Sequence, residues 1–202
     1  MEAGNTSQFK DNPPGVTSIL SSASVGIAGA GGIGSNAAAC LVRAGIGRLV
    51  IVDYDSVEFP NLNRQFYFHD QIGYPKVEAL SYNLGLINPG VIIEAQCKML
   101  DAGTACEFFQ ECDALIEAVD AEETKVMLLE SWMRGLPGRR IFSCSGIAGH
   151  GGTDLLKVDR RRGLTIVGDQ ASELSQGTLS SRITIVAGMM ANEAIEYLMH
   201  RD

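Results

Sequence analysis

Residues 25–36 read Val-Gly-Ile-Ala-Gly-Ala-Gly-Gly-Ile-Gly-Ser-Asn, and this stretch decides the fold of the chain. A short apolar run is followed by four glycines within six residues and then by an alanine-rich segment. This order predicts a β-strand, a tight turn and the start of an α-helix. Free backbone N–H groups at a helix start attract phosphate, and glycines let a ligand approach the backbone closely. The stretch therefore predicts a nucleotide-binding protein.

The composition is that of an ordinary globular protein. The chain has 202 residues, of which 46% are hydrophobic and 20% are charged, and its formal net charge is −8. The length suits one domain over residues 1–202, in which residues 1–14 are expected to form a loose N-terminal arm. The negative net charge argues against a broad nucleic-acid surface, and we find no apolar run of about 18 residues that would predict a membrane span.

The cysteines and the N-terminal residues point to a cytoplasmic location. The chain has five scattered cysteines and no Cys-x-x-Cys pair, so we expect a reducing compartment and no zinc site. Charged and amide side chains and two prolines precede the first apolar run, and we therefore predict no signal peptide.

Apolar runs alternate with helical patterns along the chain. The predicted strands cover residues 24–28, 48–53, 91–96, 114–119 and 140–145, and the predicted helices cover 34–44, 76–87, 104–111, 122–134 and 183–199. Short strands are expected near 155–158 and 164–167, within a largely irregular segment from 160 to 181. The alternation predicts an α/β fold: a Rossmann-like, mostly parallel sheet with helices on both faces, ending in an irregular crossover segment and a C-terminal helix.

Four features fall at the carboxyl ends of predicted strands, where ligands of such sheets bind. They are the glycine turn at 29–34, Asp53, Asp120 and residues 145–149. Asp53 can accept hydrogen bonds from ribose hydroxyls, although an aspartate at a strand end is often only a turn-former. Asp120 can reach a triphosphate through Mg²⁺, can cap the following helix, or can do both.

The polar segment after Asp53 favours phosphate chemistry over hydride transfer. It contributes Arg64, and Lys76 begins the next predicted helix. Taken singly, each cation is more often a solvated surface charge. Together, beside the glycine turn, they are suited to stabilising charge on a phosphate. An NAD-dependent oxidoreductase stays an alternative, but the chain has no Tyr-x-x-x-Lys pair to serve a hydride site.

The chain resembles the ThiF/MoeB/ubiquitin-activating-enzyme superfamily, and within it the compact ThiF group. The resemblance runs from about residue 24 to the C-terminal helix. It is carried, in order, by Gly29-x-Gly31-Gly32-x-Gly34, Asp53-Tyr-Asp55, Asn61-Leu-Asn63-Arg64-Gln65, Gly73-x-Pro75-Lys76 and Asp120. It implies ATP-dependent adenylylation of the C-terminal Gly-Gly carboxylate of a ubiquitin-like sulfur carrier protein (ThiS-like) in thiamine biosynthesis. It also implies a homodimer.

The resemblance further implies a role for each motif residue. Arg64 would contact the triphosphate, Lys76 would neutralise charge on its phosphates, and Asp120 would bind Mg²⁺. Asp53 would hold the ribose, while Asn61 and Gln65 would orient the nucleotide. The remaining nucleotide-binding positions would be Gly29, Gly31, Gly32, Gly34, Asp55 and Asn63.

Three features depart from the family pattern. The paired cysteines that bind zinc in many relatives are absent, so the expected cofactors are ATP and Mg²⁺ without zinc. Residues 159–182 contain no cysteine, and Cys144 is expected in the core, so we expect adenylylation without thiol chemistry on this chain. Ala121 and Lys125 replace an Asn and an Arg of the usual motif. This departure leaves open a nucleotide-binding relative without activity, and a dehydratase that acts on modified tRNA adenosine is a further alternative.

Overall fold

A seven-stranded β-sheet forms the centre of the computed structural model, which describes residues 8–201. The strands are β1 (Ser24–Ala28), β2 (Arg48–Asp53), β3 (Ile92–Cys97), β4 (Ala114–Glu117), β5 (Arg140–Cys144), β6 (Lys157–Arg161) and β7 (Leu164–Gly168). Their order across the sheet is β3-β2-β1-β4-β5-β7-β6. Every neighbouring pair is parallel except β6 and β7, which are antiparallel at one edge. The predicted mostly parallel α/β sheet is confirmed.

Helices cover both faces of the sheet, as the sequence predicts. They are α1 (Val16–Leu20), α2 (Gly32–Ala44), α3 (Lys76–Ile87), α4 (Ala105–Phe109), α5 (Glu122–Gly135) and α6 (Ser180–Met199). Helices α1, α2, α3 and α6 contribute to one apolar core, and α4 and α5 contribute to a second core around Phe109 and Trp132. None of the helices between residues 8 and 201 has the length and hydropathy needed to cross a membrane.

The central strands are nearly continuous apolar runs because both of their faces are covered. Side chains of β1 alternate between the two cores: Val25 and Ile27 contribute to the first, while Ala28 contributes to the second. At Gly26 the second core comes so close that a Cβ would lie 2.6 Å from the Phe109 ring. Glycine at this position therefore lets α4 pack directly on the sheet.

A β-hairpin of β6 and β7 extends into the segment predicted to be largely irregular, 160–181. Strands β6 and β7 are joined by a two-residue loop in which Gly163 has a φ of +73°. Arg160 pairs with Glu193 on α6, and Arg161 pairs with Asp159. Charged side chains on the β6 edge strand interrupt the alternation of apolar and polar residues by which a strand is recognised. This explains why residues 160 and 161 were predicted to be irregular. The predicted short strand over 164–167 is confirmed, whereas the strand expected near 155–158 begins at Lys157 and continues to Arg161.

The predicted N-terminal arm falls partly outside the described residues, which begin at residue 8. Phe9 is buried, and Gly45 lies against its ring. The Asn12 side chain donates a 2.9 Å hydrogen bond to the carbonyl oxygen of Ala44. The part of the arm from residue 8 onward is therefore packed against the end of α2 rather than loose.

Candidate active site

A cavity of about 610 Å³ opens at the carboxyl ends of β1, β2, β4 and β5. The register of the sheet explains why these ends meet: Ala28 of β1 lies beside Val52 of β2 and Glu117 of β4. The residues that follow the three strands are consequently neighbours. The predicted site residues on the cavity wall are Gly29, Gly31, Gly32, Asp53, Asp55, Arg64, Gln65, Lys76 and Asp120.

The glycine turn brings the start of α2 to the cavity. Gly29 has a φ of +93°, and a Cβ there would lie 2.6 Å from the carbonyl oxygen of Ala118. A Cβ at Gly34 would overlap the carbonyl oxygen of Gly29, so the backbones of turn and helix are in direct contact. Helix α2 begins at Gly32, two residues before the predicted start, and has no side-chain cap. The first N–H groups of an α-helix have no intrahelical acceptor, and here no cap side chain accepts from them. They therefore remain available to an anion.

Asp53 fastens this turn to the end of β2. Its carboxylate accepts a 2.6 Å hydrogen bond from the Ala30 N–H and a 2.8 Å hydrogen bond from the Asp55 N–H. Burial raises the pKa of the Asp53 carboxyl, although the two backbone hydrogen bonds and the charge of Lys76 oppose the shift. Each oxygen can accept a second hydrogen bond. The predicted ribose role of Asp53 is thus compatible with the turn-forming role that the sequence left open.

The two predicted cations reach the cavity in different ways. Lys76 is buried with 7% of its side chain exposed, and its Nζ lies 2.6 Å from Oδ2 of Asp55. Arg64 is half-buried, and its guanidinium donates hydrogen bonds of 3.1 Å to the Pro60 carbonyl and 2.8 Å to Oδ1 of Asn63. A phosphate that enters must compete with a carboxylate for Lys76 but only with neutral oxygens for Arg64.

Gln65 carries an unpartnered acceptor at the cavity. Its side chain is buried, and Oε1 has no hydrogen-bond partner among the described residues. The other end of the amide, Nε2, is 3.9 Å from where a Cβ on Gly31 would lie. A buried acceptor without a donor is costly, so this oxygen is suited to receive a donor from a ligand.

Three predicted nucleotide-binding residues do not reach the cavity wall. Gly34 lies beneath the glycine turn, for the packing reason given above. The Asn61 side chain accepts a 3.0 Å hydrogen bond from the Glu58 N–H and thereby caps the start of the short 3-10 helix Phe59–Asn63. Asn63 is exposed and holds the Arg64 guanidinium. The side-chain oxygens of Asn61 and Asn63 thus accept local hydrogen bonds, although the motif predicted contacts with a nucleotide. Both residues support the site from outside the cavity.

Asp120 follows β4 and is exposed at the cavity wall. The N-cap of α5 is Ala121, and no side chain caps this helix, so the alternative that Asp120 caps it is wrong. Residues 8–201 contain no group of three or more His, Cys, Asp or Glu side chains suited to a metal. A lone carboxylate beside an anion site fits Mg²⁺, which takes one or two carboxylates and completes its shell with phosphate oxygens and water.

A buried carboxylate that was not among the predicted site residues lies three residues before Asp120. Glu117 is fully buried at the end of β4, and its Oε2 lies 2.9 Å from the Nζ of Lys125, which also lines the cavity. A glutamate inside the apolar run of residues 114–119 was the available signal, because a charge buried there requires a partner. Further wall residues that were not predicted include Met99, Leu100, Thr124, Leu174, Thr178 and Ile183.

Two loops, after β5 and before α6, contribute to the cavity wall. Gly149 donates a 2.8 Å hydrogen bond from its N–H to the Gly177 carbonyl, which joins the loop after β5 to the segment before α6. The buried Arg182 of α6 pairs with Asp169 and donates a 2.6 Å hydrogen bond to the Gly151 carbonyl. One side chain thus anchors both loops.

Fold and site together define an α/β protein with a cavity suited to an anionic ligand. The chain belongs to the ThiF family, whose model matches residues 6–202. Ubiquitin-like modifier-activating enzyme 5 of Drosophila mojavensis is 53% identical over 70 residues, which are 35% of this chain and 18% of that protein. The Arabidopsis thaliana enzyme of the same name is 51% identical over 72 residues, 36% of this chain and 17% of that protein. The matched segment thus spans less than a fifth of these relatives.

Solved structures share the fold at low sequence identity. E. coli tRNA N6-threonylcarbamoyladenosine dehydratase, TcdA, in complex with AMP, superposes with a TM-score of 0.86 at 18% identity, over 96% of this chain and 92% of that chain. E. coli MccB, solved with ATP, gives a TM-score of 0.74 at 19% identity, over 93% of this chain and 59% of that chain. At such identities the likeness establishes the fold alone.

Cys144 lies in the cavity wall but is poorly suited to thiol chemistry. It ends β5 and is buried, as predicted, and burial raises the pKa of its thiol to about 11, although the charge of Lys125 opposes the shift. Only the thiolate is a nucleophile. At neutral pH the group therefore behaves as a small apolar side chain.

We predict that iodoacetamide at pH 8 alkylates Cys97 and spares Cys144 in the folded protein. Cys97 is exposed, whereas a pKa of about 11 leaves roughly 0.1% of the Cys144 thiol ionised at that pH. Peptide mass spectrometry after short labelling measures both rates, and unfolding in denaturant should equalise them. Equal labelling of the two cysteines before unfolding would contradict the assignment.

Proposed function

We propose that this protein is an adenylyltransferase that uses ATP to activate the C-terminal carboxylate of a ubiquitin-like carrier protein. The observation that carries the proposal is the convergence of Arg64, Lys76 and Asp120 on one cavity beside the uncapped start of α2. Two cations, a row of backbone N–H groups and one exposed carboxylate suit a triphosphate with its metal ion better than they suit a nicotinamide. Membership of the ThiF family also supports the proposal of an adenylyltransferase.

Each wall of the cavity would hold one part of ATP. The backbone at Gly31 and Gly32 would accept the phosphates, the free lone pairs of Asp53 would accept the ribose hydroxyls, and the unpartnered Oε1 of Gln65 would accept a donor of the nucleotide. Asp120 would hold a Mg²⁺ ion, which supplies neutralising charge on the pyrophosphate. These contacts use groups that the fold already places, so little reorganisation is needed.

The chemistry requires positioning and no covalent protein intermediate. A carboxylate oxygen of the carrier attacks the α-phosphorus of ATP, the bond to the β-phosphate oxygen breaks, and pyrophosphate leaves with the displaced electron pair. An acyl-adenylate remains. Lys76 and Arg64 would stabilise the negative charge that builds up on the transferring and leaving groups. Lys76 would give up or share its contact with Asp55 as the phosphates arrive.

The carrier protein, the oligomeric state and the cellular location are further parts of the proposal. We propose a ThiS-like sulfur carrier of thiamine biosynthesis that ends in Gly-Gly, a homodimeric enzyme and a cytoplasmic location. The motif resemblance over residues 29–76 supports the carrier class, and the relatives named as ubiquitin-like modifier-activating enzymes support a partner of the ubiquitin-like kind.

Replacing either cation should abolish most of the activity. We predict that Arg64→Ala and Lys76→Ala each lower ATP–pyrophosphate exchange at least about a hundredfold, the scale for losing one key charge stabiliser. The control is Lys157→Ala, which removes an exposed lysine on β6 away from the cavity and should leave the exchange unchanged. Near-normal exchange in both cavity variants would reject the assigned roles.

The partner is tested by the substrate dependence of pyrophosphate release. We expect release from MgATP only when a ThiS-like carrier is added, and none with the same carrier lacking its final Gly-Gly. Calorimetry should show binding of MgATP and not of NAD. Release that requires a tRNA instead of the carrier would favour the dehydratase alternative, and tighter binding of NAD would favour the oxidoreductase.

A further inference from the structure

Glu117 is surrounded by hydrogen-bond donors below the cavity floor. It is 0% exposed. Its Oε1 accepts a 2.9 Å hydrogen bond from the Val119 N–H, and its Oε2 accepts a 2.6 Å hydrogen bond from the Ser143 hydroxyl. The Nζ of Lys125 lies 2.9 Å from the same Oε2 and also donates a 2.9 Å hydrogen bond to the Cys144 carbonyl. One carboxylate thus joins β4, β5 and α5.

The arrangement requires two acceptor oxygens at this position. A carboxylate only accepts hydrogen bonds, and here donors approach both of its oxygens. An amide of the same shape has one oxygen and one donor group. The NH₂ group of the amide would face either the Val119 N–H or the Lys125 ammonium, so two donors would meet. The Lys125 ammonium would also lose its counterion.

The network fixes the turn that presents Asp120. Val119, whose N–H is held by Glu117, immediately precedes Asp120. On the other side of the turn, the Lys125 N–H donates a 2.9 Å hydrogen bond to the Ala121 carbonyl, which belongs to the first turn of α5. The Lys125 side chain in turn fastens this first turn of α5 to Glu117 of β4 and to the Cys144 carbonyl of β5, so Asp120 lies between two backbone segments that the Glu117–Lys125 pair restrains. The cavity wall contains Asp120 and Lys125, whereas Glu117 lies behind it.

We propose that the Glu117–Lys125 pair is a positioning element that holds the Asp120 carboxylate where it can bind the metal ion of MgATP. The inference rests on the proposed function, because it assigns a purpose to Asp120 that only a metal-bound nucleotide supplies. Neither Glu117 nor Lys125 contacts the reacting atoms in this account. Residues that orient a metal ligand in this way commonly alter metal affinity about 10- to 100-fold when changed.

The test is the Mg²⁺ dependence of ATP binding, measured by calorimetry at temperatures where circular dichroism shows each protein folded. We expect Glu117→Gln and Lys125→Met to raise the Mg²⁺ concentration for half-maximal tightening of ATP binding about tenfold or more. Lys125→Arg should stay within about threefold of the unaltered protein, because a guanidinium can donate to both Glu117 and the Cys144 carbonyl.

The matched control is Glu193→Gln. Glu193 is a similarly buried carboxylate, 8% exposed, that pairs with Arg160 away from the cavity. This variant should lose stability, because it breaks the bidentate pair between the buried Glu193 carboxylate and the exposed Arg160 guanidinium, and should keep the original Mg²⁺ dependence. A second readout is hydrogen exchange of the Val119 amide, which should accelerate in Glu117→Gln and Lys125→Met and stay unchanged in Glu193→Gln.

The outcomes separate this inference from the proposed function. If the unaltered protein binds ATP in a Mg²⁺-dependent way and the two network variants show the same dependence, the positioning role is wrong while the proposed function stands. If the unaltered protein shows no Mg²⁺-dependent ATP binding, both fail. Should Glu117→Gln not fold, Lys125→Met tests the positioning role instead. It breaks the same ion pair at Lys125, which is the less buried partner.

Discussion

The backbone contact between the glycine turn and the first turn of α2 sets the geometry on which the rest of the cavity depends. No side chain fits between Gly34 and the Gly29 carbonyl, so the helix begins directly behind β1. Asp53 then holds the Ala30 N–H and links the same turn to β2. These contacts leave the uncapped helix start facing the ends of the neighbouring strands. An anion site therefore arises from backbone packing before any charged side chain contributes.

Around that backbone site, the charged side chains are already held in place. Lys76 is paired with Asp55, Lys125 is paired with Glu117, and Arg64 is held by neutral oxygens. Positive groups that are fixed before the ligand arrives need little rearrangement when charge develops, which is the main advantage of a preorganised site. These lysines are buried and half-buried, and each has a carboxylate within 3 Å as its counterion.

Much of this architecture could be predicted from the sequence, and the failures have identifiable causes. Strands β1 and β2 were predicted to the residue because runs buried on both faces carry a strong apolar signal. The β6 edge strand was predicted near residues 155–158 and covers Lys157–Arg161 instead, because its charged side chains are solvated or paired across the surface and weaken the apolar signal. Asn61 and Asn63 were assigned to the nucleotide, since a motif does not reveal which polar groups a local turn consumes. Glu117 was missed because its partner Lys125 meets it only through the packing of α5 on the sheet.

In the proposed mechanism, a guanidinium and an ammonium act on the triphosphate of a bound nucleotide. A crystal structure of the protein with ATP and Mg²⁺ tests it most directly. We predict that Arg64 and Lys76 each donate to phosphate oxygens at about 3 Å, with the nucleotide phosphates at the start of α2. A structure in which Arg64 stays on Asn63, Lys76 stays on Asp55 and the triphosphate binds elsewhere would contradict the claim.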